Sequence, residues 1–148
     1  MTVEEREAFL AAKHVGMLSI ARQNKSPLAL PIWYLFRGDN VIFSMNGTSS
    51  KADLLRKSRR ATLTAQREEP PYQYVMVEGP VTVNYENFDI AELAIRYLGP
   101  EIGAWYAKKN PPSSDSVVVR LRPEQWLTVD YGKTLLPLLA ESESDHPS

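Results

Sequence analysis

Between Gly47 and Arg60 the chain reads GTSSKADLLRKSRR, in which five cations, Lys51, Arg56, Lys57, Arg59 and Arg60, stand against one acid, Asp53. Hydroxyl side chains at Thr48, Ser49 and Ser50 precede them, after a glycine that frees the backbone to turn. A phosphate is held by charge-assisted donors together with free backbone N–H groups at a helix start, and this stretch offers both. The field of a helix end alone is worth only about 0.3–1 kcal/mol at an exposed site, so tight binding needs the cations to converge. The competing reading of the same residues is a solvated basic face. Upstream, LALPIWYLF has no polar face, so the indole of Trp33 either borders a planar ligand or is a buried or inter-subunit tryptophan.

Other chemistries find little support. The chain has no cysteine, and its two histidines, His14 and His146, lie far apart, so neither a thiolate nucleophile nor a metal site is expected. There is no Gly-x-Ser-x-Gly elbow and no defensible pair of carboxylates, and we name no catalytic side chain. That profile fits an enzyme whose reactive centre belongs to a cofactor. The net charge of −1, with cations gathered locally, argues against a nucleic-acid partner. The acidic start MTVEEREAFLAAK is unlike a secretory signal. The longest mostly apolar run, Leu28 to Phe36, is less than half of the roughly 20 residues that span a bilayer. A cytoplasmic protein without a membrane segment is expected.

These residues need a scaffold, and 148 residues suffice for one domain. We expect a single domain over 1–140 and a disordered polar tail, ESESDHPS, over 141–148. Thr2 with Glu5 forms a capping-box signature for a helix to about Lys13, with Val3, Phe9, Leu10 and His14 on its packed stripe. GMLSIAR, LALPIWYLF and VIFSM, separated by QNKSP and RGDN, read as a three-strand meander. Lys51 to Lys57 reads as a short helix pinned by Ala52, Leu54 and Leu55. ATLTAQR is a strand, and QYVMVEGPVTVNY a strand pair interrupted at Gly79-Pro80, where a bulge or barrel corner is expected. Asn87 is the expected cap of a helix ending at Gly99, and Pro100 opens another to about Lys109. That second helix ends in Trp105, Tyr106, Lys108 and Lys109, either a pocket wall or a plain amphipathic face. VVVRLR and WLTVDY complete about seven strands. The expected class is α+β, a small antiparallel barrel with flanking helices.

The succession LALPIWYLF-RGDNVIFSM-NGTSSKADLLRKSRRATLTA, followed by YVMVEGPVTV, resembles the pyridoxamine 5′-phosphate oxidase-like split β-barrel family over roughly residues 8–130. Within it, the chain is most similar to the flavin/deazaflavin oxidoreductases of actinobacterial type. The resemblance rests on the PIWY strand, on Ser50-Lys51 followed by Leu55 and a basic cluster, and on the strand ending at Glu78-Gly79. It implies an antiparallel split β-barrel acting as a homodimer, with a flavin or deazaflavin at the subunit interface. Backbone near Pro31, Ile32 and Trp33 would meet the ring, and Thr48, Ser49, Ser50, Lys51, Arg56 and Lys57 the phosphate and tail. Where the family often has Asn-Leu followed by Asp-Pro-Arg, this chain has Leu54-Leu55 and Ser58-Arg59-Arg60. The expected cofactor is coenzyme F420, whose polyanionic tail suits the four cations within Arg56–Arg60, with FMN as the alternative. The expected reaction is hydride transfer to a conjugated or quinone-like small molecule. Alternatives are an FMN-dependent oxidoreductase and a non-catalytic carrier of a flavin, deazaflavin or haem-like ligand.

Overall fold

The computed structural model describes residues 1–133; the tail expected over 141–148 lies outside them. The elements run α1 (Val3–Ala11), β1 (Gly16–Arg22), β2 (Lys25–Ile32), β3 (Leu35–Arg37), β4 (Asn40–Asn46), α2 (Ser50–Ser58) and β5 (Arg60–Arg67). They continue with β6 (Gln73–Tyr85), α3 (Ile90–Leu98), α4 (Pro100–Lys109), β7 (Ser116–Leu121) and β8 (Gln125–Asp130). All strand pairs are antiparallel, in the order β2-β1-β5-β6-β7-β4-β3, and β8 also pairs with β6. No ladder joins β2 to β3, so the sheet stays open. Yet these two edge strands are consecutive in the chain, separated only by Trp33 and Tyr34. The sheet must therefore curl until its ends meet there, which is the geometry of a split barrel.

That closure corrects two sequence expectations. LALPIWYLF is not one strand: adjacent Tyr34 and Leu35 are both buried, which a continuous alternating strand over one core cannot achieve. The expected meander is instead two hairpins at opposite ends of the sheet, β1–β2 and β3–β4. The second turns at Gly38 and Asp39, both at positive φ, as a two-residue turn matched to strand twist requires.

The strand pair expected around Gly79-Pro80 is one strand, β6, and the corner is real. Residues 73–80 of β6 pair with β5 on one side, while 81–85 pair with β7. At the switch the chain passes so close to the β7–β8 connection that a Cβ on Gly79 would lie 1.8 Å from the Arg122 carbonyl oxygen. Arg122 N–H donates to Pro80 O and Glu124 N–H to Glu78 O, which secures the crossing.

The core is filled by Leu18, Ile20, Val41, Phe43, Leu63, Val75, Val77, Val119 and Leu121 from the strands, with Leu10, Ala52 and Leu55 from the helices. The capping box of α1 forms as expected: Thr2 Oγ1 accepts from Glu5 N–H and Glu5 Oε1 from Thr2 N–H. Of the stripe expected there, Leu10 is buried, Val3 is exposed, and His14 lies beyond the helix. The cap of α3 is Asp89 rather than Asn87, accepting from Ala91 N–H.

Candidate functional site

Helix α2 is placed by its apolar side. Ser49 caps it, accepting from Ala52 N–H at 3.2 Å, and the helix ends where Arg59 takes a left-handed conformation. Ala52 and Leu55 are fully buried, which fixes the rotation of the helix and decides which polar residues face outward together. Ser50, Asp53, Leu54 and Lys57 follow the i, i+3, i+4, i+7 spacing of one helical face. With Arg22 and Leu28 they line a groove of about 390 Å³. The acid in this groove is neutralised, because Arg56 donates to Asp53 Oδ1 at 2.9 Å. Arg22 and Lys57 therefore set its sign. The backbone N–H groups of Ser50 and Lys51, in the first turn, have no intrahelical acceptor.

The remaining residues of the basic stretch divide by what holds them. Arg56 does not line the groove itself: besides Asp53 it donates to the Gly47 carbonyl at 2.9 Å, and it lies beside Tyr85. Thr48 Oγ1 donates to Asn46 Oδ1, and Ser49 Oγ donates to the Asn46 carbonyl, so these hydroxyls brace the loop. Gly47 is obligatory in that loop, since a Cβ there would sit 2.6 Å from Val117 Cγ1. Lys51 is exposed on the first turn, and Arg60 pairs with Glu124 on the sheet. Of the sequence-based candidates, the structure brings Ser50 and Lys57 together. It adds Arg22, which no local signal in the sequence marks, because only the β1–β2 hairpin carries it beside α2.

A second concavity lies at the far end of β2. Val15, Pro31, Ile32, Trp33 and Tyr106 line a cleft of about 280 Å³. Trp33, at the gap between β2 and β3, stacks on Tyr97 of α3, with ring centroids 5.2 Å apart and planes within 5°. Tyr106 of α4 approaches the same indole at 60° and 5.6 Å. Tyr97 also holds the gap itself: its hydroxyl donates to the His14 carbonyl at 2.6 Å and accepts from Tyr34 N–H at 3.2 Å. Tyr34 in turn donates to Leu10 O, and burial raises its phenol well above the ordinary value. Burial likewise lowers the pKa of the His14 imidazole, which stacks on Phe9. Tyr97 stands two residues before the helix-ending Gly99, and nothing local in the sequence marks this polar role.

Leu28, at the groove, and Ile32, at the cleft, are four residues apart on one strand, about 13 Å. A cationic end and an aromatic end thus lie along a single strand edge. Among the described residues no group of His, Asp or Glu is arranged to hold a metal ion, and no helix is long and apolar enough to cross a membrane.

The fold recurs in solved structures. The conserved hypothetical protein Rv2991 of Mycobacterium tuberculosis is 20% identical with a TM-score of 0.73, covering 100% of this chain and 91% of that one. A protein described as an F420 reductase is 20% identical, TM-score 0.63, over 82% of this chain and 94% of its own. An FAD-binding protein of Mesorhizobium loti is 17% identical, TM-score 0.63, over 86% and 94%. No curated protein matches the chain in sequence. The family described as pyridoxamine 5′-phosphate oxidase matches residues 2–130, across α1 and all eight strands, and the chain belongs to that family.

Proposed function

We propose that the chain is a homodimeric, cytoplasmic oxidoreductase that binds coenzyme F420 along β2 and reduces a conjugated or quinone-like small molecule. The observation that carries this reading is the strand edge with Arg22, Ser50 and Lys57 at one end and Trp33 at the other. The residues fit such a group: its phosphate would meet two cations and the free N–H groups of the first turn of α2. Pro31, Ile32 and Trp33 would border its ring, and exposed Lys51 is free to follow an anionic tail. When bound, the deazaflavin supplies the hydride. The chain's own part is to orient the ring, shield one edge from water and deliver the acceptor, with solvent as the proton source.

A second copy has a surface to occupy. The strand registers align Pro31, Met17, Thr64, Met76 and Leu127 in one row across five strands on the outer face. Met17 and Leu127 are exposed, and an apolar row on a sheet face suits self-association. Pro31 begins the row and also lines the cleft, so a partner seated there would border the ring site.

FMN is the second reading, favoured by one observation. Arg56 is turned to Asp53 and Gly47, which leaves two cations in the groove, enough for a single phosphate. Titration of the purified protein with each cofactor, followed by gel filtration, tests both readings. F420 retained by a dimer, with Lys57→Ala and Lys51→Ala each weakening retention about tenfold, is expected from loss of a charge-assisted contact of ~1.5 kcal/mol. Retention of FMN alone establishes the second reading, and retention of neither removes both. Binding without acceptor-dependent oxidation of the reduced cofactor would make the protein a carrier.

A further inference from the structure

We propose that His14 is an acid-operated latch: with its imidazole uncharged it holds α3 against the turn between α1 and β1, and on taking a proton it lets the α3–α4 hairpin lift from the barrel. The latch does not depend on which cofactor the chain binds. Two bonds from α3 reach this turn, Arg96 Nη2 to the Ala11 carbonyl and the Tyr97 hydroxyl to the His14 carbonyl, each at 2.6 Å. The imidazole sits at the same contact, stacked on Phe9 with ring centroids 4.4 Å apart and planes within 22°. Among the described residues three buried side-chain nitrogens have no hydrogen-bond partner, and two of them belong to this contact, His14 Nε2 and Arg96 Nε. An unpaired buried group calls for a reason, and a nitrogen kept for titration supplies one.

The groups around the ring decide the direction. Arg96 is the charge that acts on it, and its guanidinium lies 5.9 Å from the Tyr97 ring. From α1 and β5 come the carbonyls of Phe9 and Gln66. Tyr34 and Tyr97 present neutral hydroxyls bonded to main chain, and Lys13 is exposed. Burial is the largest influence and lowers the imidazole from its ordinary 6.5; the two carbonyls offset part of this, and Arg96 lowers it again. With the ring in water the open form binds a proton more readily than the closed one, so opening gains as pH falls through 6.5 and below. Parting an imidazolium from Arg96 means moving α3. The second helix must follow, because a Cβ on Gly103 of α4 would lie 2.5 Å from the backbone of Ile95 in α3. A further tie, Glu92 to Arg37, is an exposed pair of little worth. The hairpin is inserted between β6 and β7, which pair with each other directly, so the sheet stays intact. Release takes Tyr97 and Tyr106 from Trp33 and widens the aromatic cleft.

The test follows imidazole and amide signals by NMR from about pH 8 to about pH 4.5, on the full chain, in the wild type, His14→Phe and His14→Gln. The chain has two histidines, so the signal lost in either variant is that of His14. Its midpoint is expected below 6.5, with the amides of α3 and the Trp33 indole N–H shifting at that same midpoint. Amide exchange in α3, corrected for intrinsic rates, should rise about threefold or more across the transition. His14→Phe keeps a ring on Phe9 and takes no proton, so these changes should vanish; His14→Gln gives the same answer if the phenyl ring is not accommodated. An imidazole midpoint at or above 6.5, α3 signals that move at a different midpoint from His14, or identical pH curves in the wild type and both variants would overturn the latch.

Discussion

Tyr97→Phe isolates the hydrogen bonds that hold the gap between β2 and β3. The substitution keeps the ring, and with it the stack on Trp33, and deletes only the hydroxyl. Two half-buried backbone groups then lose their partner: the His14 carbonyl, at 2.6 Å, and the Tyr34 N–H, at 3.2 Å. A net hydrogen bond is worth about 0.5–1.5 kcal/mol, and a buried group left unpaired costs ~1–3 kcal/mol. Because water reaches part of this site, the lower ends apply, giving a loss of about 1.5–3 kcal/mol. For a chain of this length each kcal/mol moves Tm by roughly 3–4 °C, so a fall of about 5–12 °C is expected. Far-UV circular dichroism on heating reads the fall. The near-UV spectrum at 20 °C should keep its tryptophan band, since the Trp33–Tyr97 stack survives, whereas Tyr97→Leu should lose both. A Tm within about 1 °C of wild type would refute the claim that this hydroxyl ties α3 to the gap between β2 and β3.

Gly79→Ala should be among the most damaging single-methyl changes, because the added carbon meets the Arg122 carbonyl, which is backbone and cannot swing aside. A loss of ~3 kcal/mol or more is expected from overpacking together with strained crossing hydrogen bonds. Gly38→Asn, in an open turn at positive φ, should be nearly neutral, and equal urea midpoints for the two variants would contradict the corner assignment. Glu5 offers a pH test. Its hydrogen bond from Lys133, aided by those from Thr2, lowers its carboxyl from 4.5 to about 2. A depressed acid contributes stability that is complete above about pH 4.5 and is lost as pH falls through 2. The wild type should therefore lose more Tm than Glu5→Gln on acidification across that window, and parallel curves would count against the pairing.

How much of this was legible in the chain depends on the range of the interaction. The capping box Thr2–Glu5, the Gly38-Asp39 turn and the burial of Ala52 and Leu55 are decided within a few residues, and sequence reading found each one. The breakdown of LALPIWYLF into two strands was not legible. Its cause, the meeting of two sheet ends, joins β2 to a strand order set by residues up to 130. The cap of α3 was placed at Asn87 rather than Asp89 for a smaller reason, since the two are chemically equivalent candidates and the register of the packed helix chooses between them.

The candidate site divides in the same way. By itself the sequence determined that a dense cationic helix with a hydroxyl-rich lead follows an apolar strand bearing Trp33, because composition and period are local properties. Only the tertiary structure decided which cations share a groove. Burial of Ala52 and Leu55 rotates Lys57 toward Arg22 and turns Arg56 to Asp53 and Gly47. It alone brought Tyr97 and Tyr106, more than sixty residues away in sequence, onto Trp33. Convergence of side chains from distant segments depends on the packing of the whole sheet, and no window of sequence contains it.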